Sequence, residues 1–213
     1  MKKCFIAGIF LLSASLSFAQ LKGNIEVFGG TLLFDETSRM NGPETVYKSA
    51  SISAGVSGGI YFNDTIGLKA YLDFLIPLNY STAPNGGTTA TREDYDFLLG
   101  MDEFFGVVFN VIKTERLTVP IMAGFHGKLF FSTIADYFTT AINSGIGLGI
   151  GAEYAFTENW YMLARVNGSF DFIGFSIRTP TGNNSNANEQ TKFDMALIRT
   201  WGIAPHLGIG FRF

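Results

Sequence analysis

The sequence predicts an all-β fold, and more narrowly an eight-stranded antiparallel transmembrane β-barrel with both termini on the periplasmic side. Three observations support this prediction: alternating apolar and polar residues, connections that are short and long in turn, and an unusual composition. Hydrophobic residues make up 47% of the 213 residues and charged residues only 15%, whereas soluble domains carry roughly 25% charged residues. The 22 phenylalanines exclude a disordered chain, and the net charge of -3 argues against a nucleic-acid partner.

The start of the chain predicts a cleaved signal peptide over 1–19. Lys2 and Lys3 precede an apolar run over 5–12, and Ser17-Phe18-Ala19 places small residues two positions apart, as signal peptidase requires. A membrane anchor is the competing interpretation, but the second half of the charge-free stretch is rich in Ser and Ala. The barrel is then predicted over 20–213. This part has no cysteine, because the single cysteine lies within the signal peptide.

The first four strands are predicted from alternation with a period of two residues. The first, about 23–34, is the least regular, with Ile25 and Val27 opposite Glu26 and Phe28. The next three have one apolar face, which comprises Ala50, Ile52, Ala54, Val56, Gly58, Ile60 and Phe62, then Ile66, Leu68, Ala70, Leu72, Phe74 and Ile76, then Phe97, Leu99, Met101, Phe105, Val107, Phe109 and Val111. Their opposite faces carry Gly, Ser, Asn, Tyr and charged residues.

The last four strands repeat the pattern. Their apolar faces comprise Leu117, Val119, Ile121, Ala123, Phe125, Leu129 and Phe131, then Ile146, Leu148, Ile150, Ala152, Tyr154 and Phe156, then Trp160, Met162, Ala164, Val166, Phe170 and Phe172, then Trp201, Ile203, Leu207, Ile209, Phe211 and Phe213. The polar faces again carry Gly, Ser, Asn, His and charge. Two faces of such different polarity predict strands with a different solvent on each side.

The connections indicate a membrane barrel. The short ones are 63–64, 113–116 and 157–159, and the long ones, rich in Asn, Thr, Gly and Pro, are about 35–48, 79–93, 132–143 and 178–192. An even strand number, short turns at one end and long loops at the other are typical of outer-membrane barrels, which must close because lipid offers no partner to an open edge. A soluble barrel would have the opposite polarity, with apolar residues inside and charges outside.

Aromatic residues on the apolar face cluster near the strand ends, as the two interfacial girdles of a membrane barrel require. The predicted periplasmic girdle comprises Phe62, Phe156, Trp160, Phe211 and Phe213, and the predicted outer girdle comprises Phe74, Phe97, Phe131, Phe172 and Trp201.

The last eight residues carry a second signature, His206, Gly208, Phe211 and Phe213, which resembles the terminal signal recognised by the barrel-assembly machinery. With the eight-strand plan, the mature chain resembles the small OmpA-, OmpX- and OmpW-like barrels over nearly its whole length. No motif assigns one subfamily. The resemblance implies a monomer in the cell outer membrane, surrounded by outer-membrane lipid and delivered by periplasmic chaperones to the assembly machinery.

A set of ionisable residues lies on the face predicted to point inward, and it is the candidate site: Glu26, Lys69, Asp73, Asp102, His126, Lys128, Glu153, Arg165 and Asp171. Counting from the turns predicts Asp102 opposite His126 or Lys128, and Glu153 paired with Arg165. One interpretation is an ion or small-solute path. The other is a plug of salt bridges, which the narrow interior of an eight-stranded barrel favours. Glu103 does not fit, because it falls on the apolar face; an interfacial position or a β-bulge would explain it.

Two motifs suggest chemistry that we do not expect here. Gly147-Leu-Gly149-Ile-Gly151-Ala152 fits a dinucleotide-binding pattern, but it continues an alternating strand, where small residues relieve crowding. Outer-membrane lipid A deacylases are similar barrels with a His-x-Ser pair, whereas this chain has His126-Gly-Lys128 and lacks that nucleophile. We therefore predict no enzyme activity, no catalytic residues, no cofactor and no bound metal.

The predicted function is that of a surface-exposed structural or interaction protein, adhesin-like, with a charge-plugged lumen. Four long polar loops on a rigid scaffold are where an extracellular ligand would bind. The alternative is a narrow channel or a conduit for a small, hydrophobic solute, which the resemblance to OmpW-like barrels suggests.

Overall fold

A computed structural model describes residues 22–38, 45–84, 89–134, 136–181 and 191–213. The predicted signal peptide lies outside these residues. The strands are β1 (Lys22–Ser38), β2 (Thr45–Tyr61), β3 (Ile66–Pro84), β4 (Ala90–Thr91), β5 (Phe97–Lys113), β6 (Leu117–Ile134), β7 (Tyr137–Ala155), β8 (Trp160–Pro180) and β9 (Lys192–Arg212). A single 3-10 turn, Arg92–Asp94, interrupts the connection between β4 and β5. No helix in the described ranges is long and apolar enough to cross a membrane.

The eight long strands close into one antiparallel barrel. Each strand pairs with its neighbour in the chain, and β1 also pairs with β9, which joins the two edges of the sheet. The two-residue strand β4 is an addition at one rim, where it pairs with Ser81 and Thr82 of β3. The predicted fold class and strand number are therefore confirmed.

The barrel is strongly sheared. Following paired residues once around the sheet, from Glu26 of β1 through every strand and back, leads to Glu36, ten residues further along β1. Eight strands with this stagger tilt by roughly 40° to the barrel axis. On two adjacent strands, residues that lie at the same height along the barrel axis are therefore not the paired residues. They differ from the paired positions by a little more than one residue. This offset determines which side chains meet inside.

The outer surface is apolar over most of the barrel. Outward residues such as Ile25, Val56 and Leu148 are about half exposed, whereas buried charged residues such as Lys69 and Asp171 point inward. Nine of the ten predicted girdle residues are exposed and the tenth, Phe131, is half-buried. An apolar outer face with a polar interior is the polarity of a membrane barrel and the reverse of a soluble one.

The two ends of the barrel differ, and we call them the turn end and the loop end. At the turn end the connections 62–65, 114–116 and 156–159 are short, as predicted. At the loop end the strands run further than predicted. The connection expected over 132–143 is wrong, because β6 and β7 continue to Ile134 and Tyr137. Polar Thr and Ser side chains face both sides there, so the hydrogen-bonded ladder extends past the point where apolar alternation stops.

An exposed ion cluster lies at the turn end of the barrel. Asp64 Oδ1 lies 2.8 Å from the Nζ atoms of both Lys22 and Lys113. Hydrogen bonds and charge from Lys113 and Lys22 lower the pKa of Asp64 to about 2. The cluster therefore connects β1, the β2–β3 turn and the end of β5.

Glu103 points outward from the middle of β5. The pairing of β5 is unbroken from Phe97 to Asn110, so the β-bulge considered for Glu103 is wrong. Its side chain lies over Gly127 of β6, where an added Cβ atom would come within 2.6 Å of Glu103 Oε1. Because Gly127 has no side chain, the Glu103 side chain can lie against the outer surface of β6 at this position.

The Gly147–Ala152 segment lies within β7 and no helix follows it. A Cβ atom on Gly149 would lie 2.5 Å from Asn167 Oδ1 and 2.6 Å from Met122 Cε. Glycine is required here because the side chains of its paired residues on β6 and β8 fill the space beside it, as the crowding interpretation predicts.

Candidate functional site

All nine predicted site residues lie inside the barrel, and each is buried. The alternation of strand faces is sufficient to place them there, since a one-residue shift would turn every one of them outward. The sheared wall divides them into two groups, a central cluster and a turn-end cluster.

The central cluster crosses the lumen from β5 to β8. His126 Nε2 lies 2.7 Å from Asp102 Oδ1, and His126 Nδ1 lies 2.7 Å from Asp171 Oδ1. Lys128 Nζ donates to Asp171 Oδ2 at 2.8 Å and to Ser169 Oγ at 2.9 Å. Three strands are thus tied together by one continuous chain of charged hydrogen bonds.

This geometry fixes the charge of His126. An ionised carboxylate only accepts hydrogen bonds, so a ring that bonds one carboxylate through each nitrogen donates from both nitrogens. His126 is then an imidazolium, and with Lys128 it balances the charges of Asp102 and Asp171. A buried charge that is paired and hydrogen-bonded avoids most of the cost of leaving water.

The predicted position of Asp102 is confirmed, with one refinement. Its paired residue on β6 is Lys128, but its ion-pair partner is His126. The shear explains the difference, because the residue of β6 at the height of Asp102 lies one to two positions closer to the turn end. Lys128 sits higher and reaches Asp171 instead.

The turn-end cluster is centred on Glu26. This carboxylate accepts hydrogen bonds from Lys69 and Ser57, and from Arg165 Nη1 at 3.1 Å. Tyr161 also donates its hydroxyl to Glu26, at 2.8 Å. Five hydrogen-bonding groups from four strands therefore converge on one side of the lumen.

The predicted Glu153–Arg165 pair is wrong. Glu153 is paired with Leu163 across the β7–β8 hairpin, and Arg165 is paired with Gly151. Glu153 instead binds Arg212 at 2.8 Å and lies 3.8 Å from Lys69. The hairpin is centred on Glu158, so the residue opposite Glu153 is Leu163 and Arg165 lies two positions further along β8. The shear raises Arg165 further above Glu153.

Sequence reasoning missed several members of the lumen network. His206 was assigned only to the assembly signal, yet it is buried and its Nε2 lies 2.8 Å from Asp73 Oδ2. Tyr71 donates to Asp102 at 3.1 Å. Both residues alternate with outward apolar neighbours, so the rule that places the nine predicted residues inside the barrel also places His206 and Tyr71 there.

An aromatic cluster closes the lumen toward the loop end. Its members are buried and apolar or phenolic: Leu32, Phe34, Leu75, Tyr80, Leu98, Phe130 and Ala204. The Phe34 and Phe130 ring centroids lie 5.1 Å apart, and Lys128 Nζ lies 5.7 Å from the Phe34 centroid. Packed rings therefore lie beside Lys128 of the central cluster, on its loop-end side.

The predicted assembly-signal residues occupy the end of β9. Phe211 and Phe213 are exposed on the outer face, whereas His206 points inward. Gly208 packs against β1, where an added Cβ atom would lie 2.3 Å from the carbonyl oxygen of Val27. These residues therefore form part of the β1–β9 junction, and their role in assembly stays a prediction.

Three solved structures share this closed barrel. OprG from Pseudomonas aeruginosa is 15% identical over 90% of this chain and 96% of its own, with a TM-score of 0.60. The fold is that of the small outer-membrane β-barrels. Neisserial surface protein A is 12% identical over 89% of this chain and 97% of its own (TM-score 0.52), and the outer membrane protease OmpT from Escherichia coli is 10% identical over 90% and 97% (TM-score 0.51).

The predicted resemblance to small outer-membrane barrels is thus confirmed for the fold. No protein-family model matches the chain, and no curated protein sequence matches it. Any specific role must therefore be argued from the residues themselves.

Proposed function

We propose that the chain, after removal of residues 1–19, resides in the outer membrane as a surface-exposed interaction protein whose lumen does not conduct. Supporting the location are the apolar outer face with aromatic rims at both ends, and the likeness of the fold to outer-membrane barrels. The termini are then periplasmic and the loop end is extracellular.

The observation that carries a non-conducting lumen is the central cluster. Asp102, His126, Asp171 and Lys128 form a neutral chain of hydrogen bonds across the barrel, and the aromatic cluster packs above it. An ion that passed would have to break these bonds within a low-dielectric wall, at a cost of several kcal/mol. What remains available for function is the loop end, where binding residues on a rigid scaffold usually lie.

We also propose that the chain is not an enzyme. Both nitrogens of His126 bond carboxylates, so its ring has no lone pair free to accept a proton. Lys128 Nζ already donates to Asp171 and to Ser169, so it is not placed to accept a proton from the Ser169 hydroxyl. The two groups that could act as a base, His126 and Lys128, are therefore both engaged in ion pairs and are not free to activate a nucleophile.

A narrow path for a small solute is the second candidate, and one observation favours it. Among the described residues, Arg165 Nε and Nη2 and Asp73 Oδ1 are buried without a hydrogen-bond partner in the protein. Buried polar groups are almost always satisfied, so this part of the lumen suits water or a polar solute.

Planar-bilayer recording tests the two candidates. We expect the purified protein to be silent or to show rare, brief openings, and the double variant Lys128→Ala, Arg165→Ala to show more frequent ones. The exposed-face double variant Ile25→Ala, Leu148→Ala is the matched control and should remain silent. Steady single-channel currents from the unmodified protein would reject the plug and support the solute path.

A further inference from the structure

Glu103 is a carboxyl group on the outer surface of the barrel, between the two aromatic rims. It is exposed, and its outward neighbours along β5 are apolar. It lies six positions (103 − 97) from Phe97 of the predicted outer girdle, a descent of about 15 Å along the axis of a barrel whose strands tilt by roughly 40°. Other outward charges, such as Lys48 and Arg199, lie near the loop end instead. Glu103 therefore faces the hydrocarbon of the membrane.

The carboxyl group of Glu103 has no compensating partner in the part of the chain that the structure describes. It makes neither a hydrogen bond nor an ion pair there. A polar group that faces hydrocarbon is costly, so an ionisable residue at this depth is commonly retained for a function. The neutral acid, which is the form that costs least in lipid, has one O–H donor and a carbonyl acceptor. Glu103 therefore offers a donor and an acceptor side by side to a partner within the membrane.

A depression lies in the outer wall beside Glu103. Its volume is about 570 Å³, and the residues that line it include the small residues Ala70, Gly127 and Ser144. Phe125 of β6 borders the depression and projects from the wall, with 76% of its surface exposed. The same stretch of wall thus has a ring that projects and a depression that can receive one.

We propose that two copies of this chain associate through this surface, with their Glu103 side chains in contact. Copies of one membrane protein have the same orientation, so a pair is related by a two-fold axis along the membrane normal, and a residue at the axis meets its own counterpart at the same depth. Two neutral carboxyl groups fit this symmetry, because each donates its O–H to the carbonyl oxygen of the other. The inference goes beyond the proposed function, and a dimer differs from the monomer that the family resemblance implies.

The order of the strands places the projecting ring against the depression. Strand β5 lies between β3 and β6, so an axis at Glu103 brings β6 of each copy against β3 of the other. Leu72 of β3 is paired with Glu103, and Phe125 lies two residues toward the turn end from Gly127, the other pair of Glu103. With the stagger included, Leu72 and Phe125 lie at similar heights, so each Phe125 ring meets the part of the depression lined by Ala70 and Leu72. A lipid acyl chain could also fill the depression, but it has no donor or acceptor for the carboxyl group.

Energy transfer between labelled chains in lipid vesicles tests the proposal. Residues 20–213 contain no cysteine, so Glu158→Cys, in the exposed turn between β7 and β8, provides a single site for a donor or an acceptor dye. We expect transfer that increases with the ratio of protein to lipid and that falls when unlabelled chain is added. Transfer no greater than that of randomly placed chains at every ratio would overturn the proposal and would leave Glu103 to a different membrane partner.

Variants at the contact identify the surface. Glu103→Leu should weaken the association by about tenfold or more, because the hydrogen bonds between the carboxyl groups are lost. Glu103→Gln should remain within about threefold of the unmodified chain, since an amide also donates to and accepts from its own counterpart. Phe125→Ala should weaken the association by about three- to tenfold through loss of apolar contact. Ile203→Ala, at an exposed position of β9 across the barrel, is the matched control and should associate as the unmodified chain does.

The Glu103→Leu variant also separates association from folding. It should still give a β-type circular dichroism spectrum, because the substitution removes a polar group from the lipid-facing surface. Association of Glu103→Leu at the strength of the unmodified chain would overturn the proposal. The bilayer recordings do not depend on this contact, so failure here and failure of the proposed function are distinguishable.

Discussion

At the scale of single residues, some of the ion pairs in the lumen join residues that are far apart in the sequence. Glu26 of β1 and Arg165 of β8 are 139 positions apart, yet their charged atoms lie 3.1 Å from each other. Arg165 also lies over the Phe28 ring, 4.6 Å from its centroid. A guanidinium held by a carboxylate on one side and a ring face on the other has few alternative positions.

A double-mutant cycle should detect this pair. We expect Arg165→Met to lower the free energy of unfolding by roughly 3–5 kcal/mol, less if Lys69 compensates, because Glu26 would lose a buried partner. The Glu26→Gln, Arg165→Met double variant should show a coupling energy of about 1–3 kcal/mol. Reversible urea unfolding in lipid vesicles, followed by tryptophan fluorescence, measures both.

The corresponding cycle for Glu153 and Arg165 is the control. These side chains do not meet, so their coupling energy should stay within about 0.5 kcal/mol of zero. Arg199→Met, at an exposed position, should change the stability by no more than about 0.5 kcal/mol. A large coupling between Glu153 and Arg165 would mean that the strand register is different.

Asp64 predicts a measurable pH dependence at the turn end. Its pKa of about 2 is below the ordinary value of 3.8, so the stabilisation by its lysines is complete above about pH 4 and is lost as the pH falls through 2. Carboxyl NMR titration of Asp64 should give a midpoint near 2. The midpoint should rise toward 3.8 in Lys113→Met and less in Lys22→Met, since Lys113 contributes more. An unchanged midpoint in both variants would show that neither lysine holds the carboxylate.

At the scale of elements, alternation predicted the strands because each residue of a membrane barrel faces either lipid or lumen. The eight strands, the short turns and the inward position of all nine site residues follow from this rule alone. The strand extensions at the loop end do not follow from it, because period-two alternation fades there.

The contacts between the site residues could not be predicted from the sequence, for a different reason. Whether Asp102 meets His126 or Lys128 depends on the stagger of the whole sheet, a sum over every hairpin and bulge. One extra residue, such as Phe172 of β8 opposite the step from Ser144 to Gly145 of β7, displaces everything above it. Local patterns determine which face of a strand a residue is on, whereas contacts across the lumen depend on the register with which the whole sheet closes into a barrel.

Crowding along the inner face predicts that glycines are not interchangeable. A Cβ atom on Gly210 of β9 would lie 2.2 Å from Cζ of the buried Tyr161 ring, whereas on Gly58 of β2 it would meet nothing closer than 3.8 Å. Gly210→Ala should therefore destabilise the barrel by about 1–3 kcal/mol, since Tyr161 must move away from Glu26. Gly58→Ala should be nearly neutral. Urea midpoints in vesicles compare the two, and equal midpoints would show that Tyr161 can yield freely.

At the scale of the whole molecule, the apolar exterior and the charged interior predict a protein that is stable only in lipid or detergent. We expect a β-type circular dichroism spectrum in micelles, and faster migration on a gel before heating than after, because the closed barrel resists the detergent of the gel. A helical spectrum, or full solubility without detergent, would contradict the barrel.

The junction between β1 and β9 has a consequence for how the molecule forms. It pairs Asn24 with Arg212, 188 positions away (212 − 24), while every other long pairing joins strands adjacent in the chain. Closing so distant a contact carries a large entropy cost, so the hairpins form early and this junction forms last. The ladder is also interrupted there between Gly30 and Leu33, beside Pro205, which has no N–H to give. Until that slow last step, two bare strand edges and the apolar outer surface face water together, and both favour aggregation.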